Sequence, residues 1–389
     1  MKKKYIIFLI ITLVLLVVLI TSFNYFKTTN TYIDDSVNNQ TKITKGISMN
    51  LEQTAGAGDY KTVTRSSWPT EGYKFNTELS RCENGGEINW DDINKKVIVT
   101  GNVSDKCYVY FDIWIPSIAA YCTSGTDLAT CVKNFGDQGP SVSNIYIHNS
   151  ALTNGAGDNS YRYAGANPNN YVCFGSEATT CPDANLFRII GVFGDQAKVI
   201  RAKSVGDQPW HTSQVNNWSS SSLNTYLNGE YLTSLGTLAE KIATTTWKVG
   251  GGDEANISFS VPATAYQYEV GSSASTTTVD KKIGLMYVSD YYYGASPSAW
   301  KLVGYNKSDA TKDYRAATST NWLYLGSTEW TISRNSGYTY LAFLVNSAGY
   351  VYYSGYVPVS LAVRPSFNLL SSVKYISGSE SMSDPVRIN

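Results

Sequence analysis

Ser219-Ser220-Ser221-Ser222-Leu223-Asn224-Thr225-Tyr226-Leu227-Asn228-Gly229-Glu230-Tyr231-Leu232-Thr233-Ser234-Leu235 is the stretch where the pattern of this chain changes period. Leu223, Tyr226, Leu227 and Tyr231 recur at spacings of three and four, the signature of a helix with one apolar face. The serine run before them supplies a hydroxyl that can accept from the first free backbone N–H groups. Upstream, Leu186 to Phe193 and Gln196 to Lys203 are extended runs about Gly194-Asp195, a hairpin signature. Downstream, Leu238 to Ile242 adds a second short helix, after which no helical pattern of any length returns. Strands resume at Ile283 to Val288, Leu341 to Val345, Tyr350 to Tyr353 and Ser360 to Val363, with Gly250-Gly251-Gly252 and Ser272 to Thr278 as surface loops. One early helix pair followed by short strands describes an α+β domain over 161–389 with a mostly antiparallel sheet.

Working back toward the N-terminus, 117–160 reads as a connector holding one short helix, Asp127 to Phe135, ended by Gly136 and Pro140. The 47–116 segment turns to short strands. Glu87-Ile88-Asn89-Trp90 and Lys96-Val97-Ile98-Val99-Thr100 flank the turn formers Asp91-Asp92-Ile93-Asn94, and Cys107 to Ile115 is a further strand. A small β-sandwich is the expected result. Residues 27–46 read as a polar stalk. Before them Lys2-Lys3-Lys4 precede Tyr5 to Phe23, which is almost purely apolar. As a helix that run reaches ~28 Å, close to the hydrocarbon thickness of a bilayer. Residues 1–26 are therefore expected to form a single-pass membrane anchor, N-terminus cytoplasmic and body extracellular, by the retention of basic residues inside. A cleaved signal peptide is the rival reading, and Thr21-Ser22-Phe23 offers it no small-x-small site.

Cys82, Cys107, Cys122, Cys131, Cys173 and Cys181 all follow the anchor, and their number is even. Disulfides are expected, with neighbours paired: Cys82 to Cys107, Cys122 to Cys131, Cys173 to Cys181. Each would close a short loop and stabilise by ~2 to 4 kcal/mol. The spacings are not Cys-x-x-Cys and the only histidines are His148 and His211, so no metal site is expected. Thirty-one basic and thirty-one acidic residues cancel, leaving no basic footprint for nucleic acid. The chain holds thirty tyrosines against a charged fraction of only 16%, a mixture that suits a polar, uncharged contact surface. The same mixture also suits half-buried sheets in general.

Several segments resemble a known family. Asn217-Trp218-Ser219 leading into Leu223-Asn224-Thr225-Tyr226-Leu227-Asn228-Gly229, Gly284-Leu285-Met286-Tyr287-Val288-Ser289-Asp290, Asn321-Trp322-Leu323, Asn346-Ser347-Ala348-Gly349-Tyr350-Val351 and Val363-Arg364-Pro365 are similar, in that order, to a domain of Gram-positive surface proteins whose function is unassigned. That domain resembles the C-type-lectin-like fold, in the branch that includes formylglycine-generating enzymes. The resemblance implies a lectin-like fold with two short helices over 161–389. It carries no activity with it. The late cysteine pair of formylglycine-generating enzymes is missing, since no cysteine follows Cys181, and the Glu-Pro-Asn, Gln-Pro-Asp and Trp-Asn-Asp calcium motifs of sugar-binding lectins are absent from the sequence.

Candidate chemistry is sparse. His148 and His211 read as surface residues. Ser371-Ser372-Val373-Lys374 fits Ser-x-x-Lys without the companion motifs of penicillin-recognising enzymes. Asp253-Glu254 and Asp309 with Asp313 read as solvated loop acids without calcium-loop spacing, and Arg364 reads as a structural cation pairing a buried acid or loop carbonyls. The strongest functional candidate is the tract holding Tyr338, Tyr340, Asn346, Tyr350, Tyr352, Tyr353 and Tyr356, where strand alternation puts part of the set on one exposed face. In the lectin-like fold the resemblance implies, this late hairpin is the usual ligand surface. The expectation is a membrane-anchored extracellular binding or adhesion protein, without catalytic residues or cofactor, that recognises a glycan or protein ligand. A cell-envelope enzyme and a surface spacer without ligand are the alternatives.

Overall fold

Leu186–Phe193 and Gln196–Arg201 pair antiparallel about Gly194, as the turn signal predicts, and every residue of the first strand except Phe193 is buried. Such two-sided burial needs cover on both faces, and this hairpin forms the middle of an eight-stranded sheet. The computed structural model describes residues 46–54, 57–63, 69, 72–91, 96–100, 105–114 and 116–389, which fall into two compact units dividing after residue 115.

In the second unit the eight-stranded sheet runs Ser366–Asn368, Gln196–Arg201, Leu186–Phe193, Tyr171–Cys173, Val386–Ile388, Tyr375–Ser377, with Tyr161–Tyr163 also pairing to Leu186–Phe193 and carrying Ile145–Ile147. A five-stranded sheet runs Asp207–Pro209, Ser360–Ala362, Glu329–Arg334, Leu341–Val345, Val351–Tyr356. Thr245–Lys248 and Thr278–Lys281 form a separate ribbon. The expected first helix is present as Ser222–Tyr226, a π turn at Leu227–Tyr231 and Leu232–Ser234. Ser221 caps it, its hydroxyl accepting from the Asn224 N–H at 3.0 Å.

The expected architecture requires correction. Among the described residues no helix is long and apolar enough to cross a membrane, and the expected span, Tyr5 to Phe23, lies outside them, as does the stalk up to residue 45. The fold is mixed, with many short strands and more helices than the expected two. The helix expected at Leu238 to Ile242 is the 3-10 turn Gly236–Lys241, with Ile242 extended after it, and Glu254–Ile257, Pro262–Glu269 and Val288–Gly294 are helical where no helix was expected. Val288–Gly294 is buried on every side, so it carries no apolar stripe to betray its period. The strand expected at Ile283 to Val288 is absent: Gly284 makes one isolated bridge to Ser366, and Val288 already begins the helix. Residues 117–160, expected as a connector, belong to the second unit: Leu128–Gly136 buries Leu128, Cys131, Val132 and Phe135 in its main core, and Ile145–Ile147 joins its sheet.

In the first unit the expected sandwich is a five-stranded sheet with one hairpin against it. Ile47–Glu52 lies parallel to Cys107–Ile113, flanked by Tyr60–Val63 and Tyr73–Phe75, with Arg81–Cys82 beside Cys107. The hairpin Glu87–Asp91 with Lys96–Thr100 closes over it through Trp90, 4.9 Å from Phe111. The cysteines pair as neighbours, Cys82–Cys107, Cys122–Cys131 and Cys173–Cys181.

The chain leaves the five-stranded sheet and enters the eight-stranded one across Val363-Arg364-Pro365. Arg364 is buried there and grips the equally buried Glu329, Nε to Oε2 at 2.8 Å and Nη2 to Oε1 at 2.6 Å, while Nη2 also donates to the Leu323 carbonyl at 2.6 Å. Arg364 is thus the structural cation expected from the sequence. Replacing it with methionine strands a charged or reprotonated Glu329 in the interior, and denaturant unfolding should show a loss of about 3–5 kcal/mol.

Glu380 is fully buried at a left-handed φ of 64°, its Oε1 accepting the Tyr163 hydroxyl at 2.6 Å and its Oε2 meeting no partner. Burial pushes its carboxyl from 4.5 up to about 8. Below pH 4.5 the group is protonated whether folded or unfolded; between 4.5 and about 8 the unfolded chain releases the proton that the folded chain keeps, so stability falls as pH rises. Glu380→Gln removes that slope. Its melting temperature relative to the unmodified protein should climb between pH 5 and pH 8, and parallel curves would contradict the assignment.

Candidate functional site

Val351–Tyr356 is the edge strand of the five-stranded sheet, so one of its sides has no strand neighbour. Loops cover part of that side: the Val351 N–H donates to the Gly304 carbonyl at 3.0 Å, and the Ser258 hydroxyl donates to the Val351 carbonyl at 2.8 Å. These contacts bring the residues after Ser258 and Gly304, namely Phe259 and Tyr305, beside the tyrosines of the strand.

None of the six tyrosines of the expected tract is buried. Tyr338, Tyr340 and Tyr356 are 44%, 42% and 39% exposed, and Tyr350, Tyr352 and Tyr353 are half-buried. They form two neighbouring sets. Tyr340 lies edge-on between Tyr338 and Tyr356, with centroids 6.1 and 6.3 Å away. Tyr352 lies between Tyr350 at 5.9 Å and Tyr353 at 5.2 Å. Tyr305 stacks on Tyr350 at 4.7 Å, and Phe259, 43% exposed, sits 5.2 Å from Tyr353. The Arg315 guanidinium lies over both Tyr305 and Tyr350, at 5.5 and 5.3 Å. Asp313 holds that guanidinium in place, its Oδ2 accepting from Nη2 at 2.6 Å.

Asn346 does not join the face. Its side-chain oxygen accepts the Ala348 N–H at 2.9 Å and shapes the turn between the two strands. Phe259, Tyr305 and Arg315 were not anticipated, because each is brought in by a distant loop and stands alone in its own sequence neighbourhood.

The other sequence candidates are absorbed by the fold. Asp253 caps Glu254–Ile257 through the Asn256 N–H, Asp309 accepts from Thr311, and Asp313 is committed to Arg315. Lys374 points its ammonium at Asp127, 2.5 Å away, rather than into a Ser371 mechanism. His148 corrects a surface expectation: it is fully buried, with Nδ1 accepting the Ala156 N–H, and burial drives its imidazole down to about 2. His211 is half-exposed, and its Nδ1 accepts the Ser213 N–H.

A second feature had no signal in the sequence. A cleft of about 250 Å³ is lined by Phe193, Trp247, Tyr266 and Tyr287, with Arg162, Lys198 and Asp290 buried in its floor. Asp290 sits in the first turn of Val288–Gly294, where Oδ2 accepts the Tyr287 N–H at 2.8 Å and meets Lys198 Nζ at 2.5 Å. Arg162 reaches Asp158 at 2.7 Å and Asp290 Oδ1 at 3.6 Å. No family model, curated protein or solved structure matches the chain.

The buried and the exposed tyrosines differ in what they contribute to stability. Tyr314, by contrast with the surface rings, is fully buried and donates to the Tyr292 carbonyl at 2.9 Å. Tyr314→Ala should cost about 3–5 kcal/mol in denaturant unfolding. The triple change Tyr338→Ala, Tyr340→Ala, Tyr356→Ala should cost only about 1–2 kcal/mol together, because these side chains are already exposed at the surface and leave no closed cavity behind.

Proposed function

We propose that the second unit is an extracellular binding or adhesion module that recognises a glycan or protein ligand through its tyrosine face. The observation that carries this reading is the gathering of unburied aromatic rings, Tyr338, Tyr340 and Tyr356 beside Tyr350, Tyr352, Tyr353, Tyr305 and Phe259, around one sheet edge. Aromatic side chains exposed singly need no explanation, whereas a contiguous exposed group of them marks a surface that a partner covers. Tyrosine suits that partner contact, since it offers large amphipathic area with few rotamers to freeze, and its hydroxyl adapts to polar ligands. The ring-on-ring contacts and the Arg315 stack hold the face in shape before a ligand arrives, which lowers the ordering cost of binding. Three disulfides support an oxidising, extracellular setting.

The test is binding of the purified full chain to glycan and protein arrays, beside the variant Tyr350→Ala, Tyr352→Ala, Tyr353→Ala. The expected result is a discrete set of ligands whose signal falls about tenfold or more in the variant. Indistinguishable profiles would remove the tyrosine face from the account.

A further inference from the structure

The floor of the aromatic cleft holds a lysine and an aspartate buried together in direct contact. Lys198 Nζ and Asp290 Oδ2 are 2.5 Å apart, and their side chains are 6% and 2% exposed. Rings enclose the amine on three sides: Tyr287 at 4.7 Å, Trp247 at 5.4 Å and Phe193 at 5.6 Å. The two groups come from elements 92 residues apart in the chain, the strand Gln196–Arg201 and the helix Val288–Gly294. The aromatic cage is thus filled by the protein's own ammonium, beside the Arg162 guanidinium, which lies over Phe193 and Tyr266.

We propose that Lys198 and Asp290 become joined by a side-chain amide bond that the folded protein forms by itself. The amine, the carboxyl group and a cation beside it are brought together by the fold. Burial presses Lys198 toward its neutral amine, and moving one proton from Nζ to Oδ2 across the short contact converts a buried ion pair into an amine and a carboxylic acid. The amine lone pair then attacks Asp290 Cγ. The developing negative charge falls on Oδ1, which faces Arg162 Nη1 at 3.6 Å, a cation positioned to stabilise it. The Cγ–Oδ2 bond breaks, and Oδ2 departs with its proton and one further proton from nitrogen as a single water molecule. No oxidant, reductant or cofactor enters, and the adjoining cleft gives the water a way out. Held within contact distance, the two groups react at an effective concentration far above any free amine and acid, which overcomes the poor leaving group.

The bond is read by mass. The full chain, purified, reduced to open its disulfides and denatured, should weigh one water less than its sequence. Proteolysis should yield one branched peptide linking the Lys198 segment to the Asp290 segment. Lys198→Met and Asp290→Ala should each restore the full sequence mass, a readout that does not require the variants to fold. A wild-type chain at full sequence mass with a linear Lys198 peptide would overturn the proposal. So would loss of ammonia with a branch at Asn368, which faces Lys198 across the paired strands and lines the same cleft. None of these outcomes depends on whether the tyrosine face binds a ligand.

Discussion

The second unit depends on the buried grip of Arg364 on Glu329. Its two larger sheets are joined where the chain crosses Val363-Arg364-Pro365, and a crossover of this kind leaves backbone groups to satisfy and a direction to fix. Arg364 does both. Its guanidinium binds the carboxylate of the central strand Glu329–Arg334 in a two-point fork and takes up the Leu323 carbonyl. On either side of it the Arg201 N–H donates to the Pro365 carbonyl and the Val205 N–H to the Val363 carbonyl, so the crossing segment is laced to the eight-stranded sheet. Two charges are taken out of water for this, and a hydrophobic pair of equal volume would hold as well energetically. What the fork adds is geometry, because only one register of the crossover satisfies both nitrogens.

Tyrosine is used in two ways. Tyr291, Tyr292, Tyr293 and Tyr314 are buried, and each hydroxyl finds a backbone carbonyl: Gly349, Ile257, Asn154 and Tyr292. These rings replace aliphatic packing and tie loops to the core with one group. The rings around Val351–Tyr356 instead lie against each other at the surface. Composition alone could not divide the two populations, since both are equally tyrosine-rich.

Local signals were the legible ones. The Gly194-Asp195 hairpin, the serine-capped helix at Ser222 and the helix at Leu128 each rest on residues adjacent in sequence, and each is present. The neighbour pairing of cysteines belongs with them, because short loops bring such thiols together. Val288–Gly294 was hidden, since total burial erases helical periodicity, and the polar buried His148 looked like a surface residue for want of any neighbour in sequence. The tyrosine tract could be read because it is nearly contiguous. Its companions Phe259, Tyr305 and Arg315, and the whole Arg162, Lys198 and Asp290 cluster, are assembled only by tertiary folding. The expected membrane-spanning segment falls outside the described residues, and none of the helices within them replaces it.

The strand Val386–Ile388 lies between Tyr171–Cys173 and Tyr375–Ser377 in the eight-stranded sheet, parallel to the former. A strand made after both of its neighbours thus fills a place between them, so the sheet cannot close strand by strand in chain order. A chain in which that strand is cut away or displaced leaves unpaired borders on both of its neighbours at once.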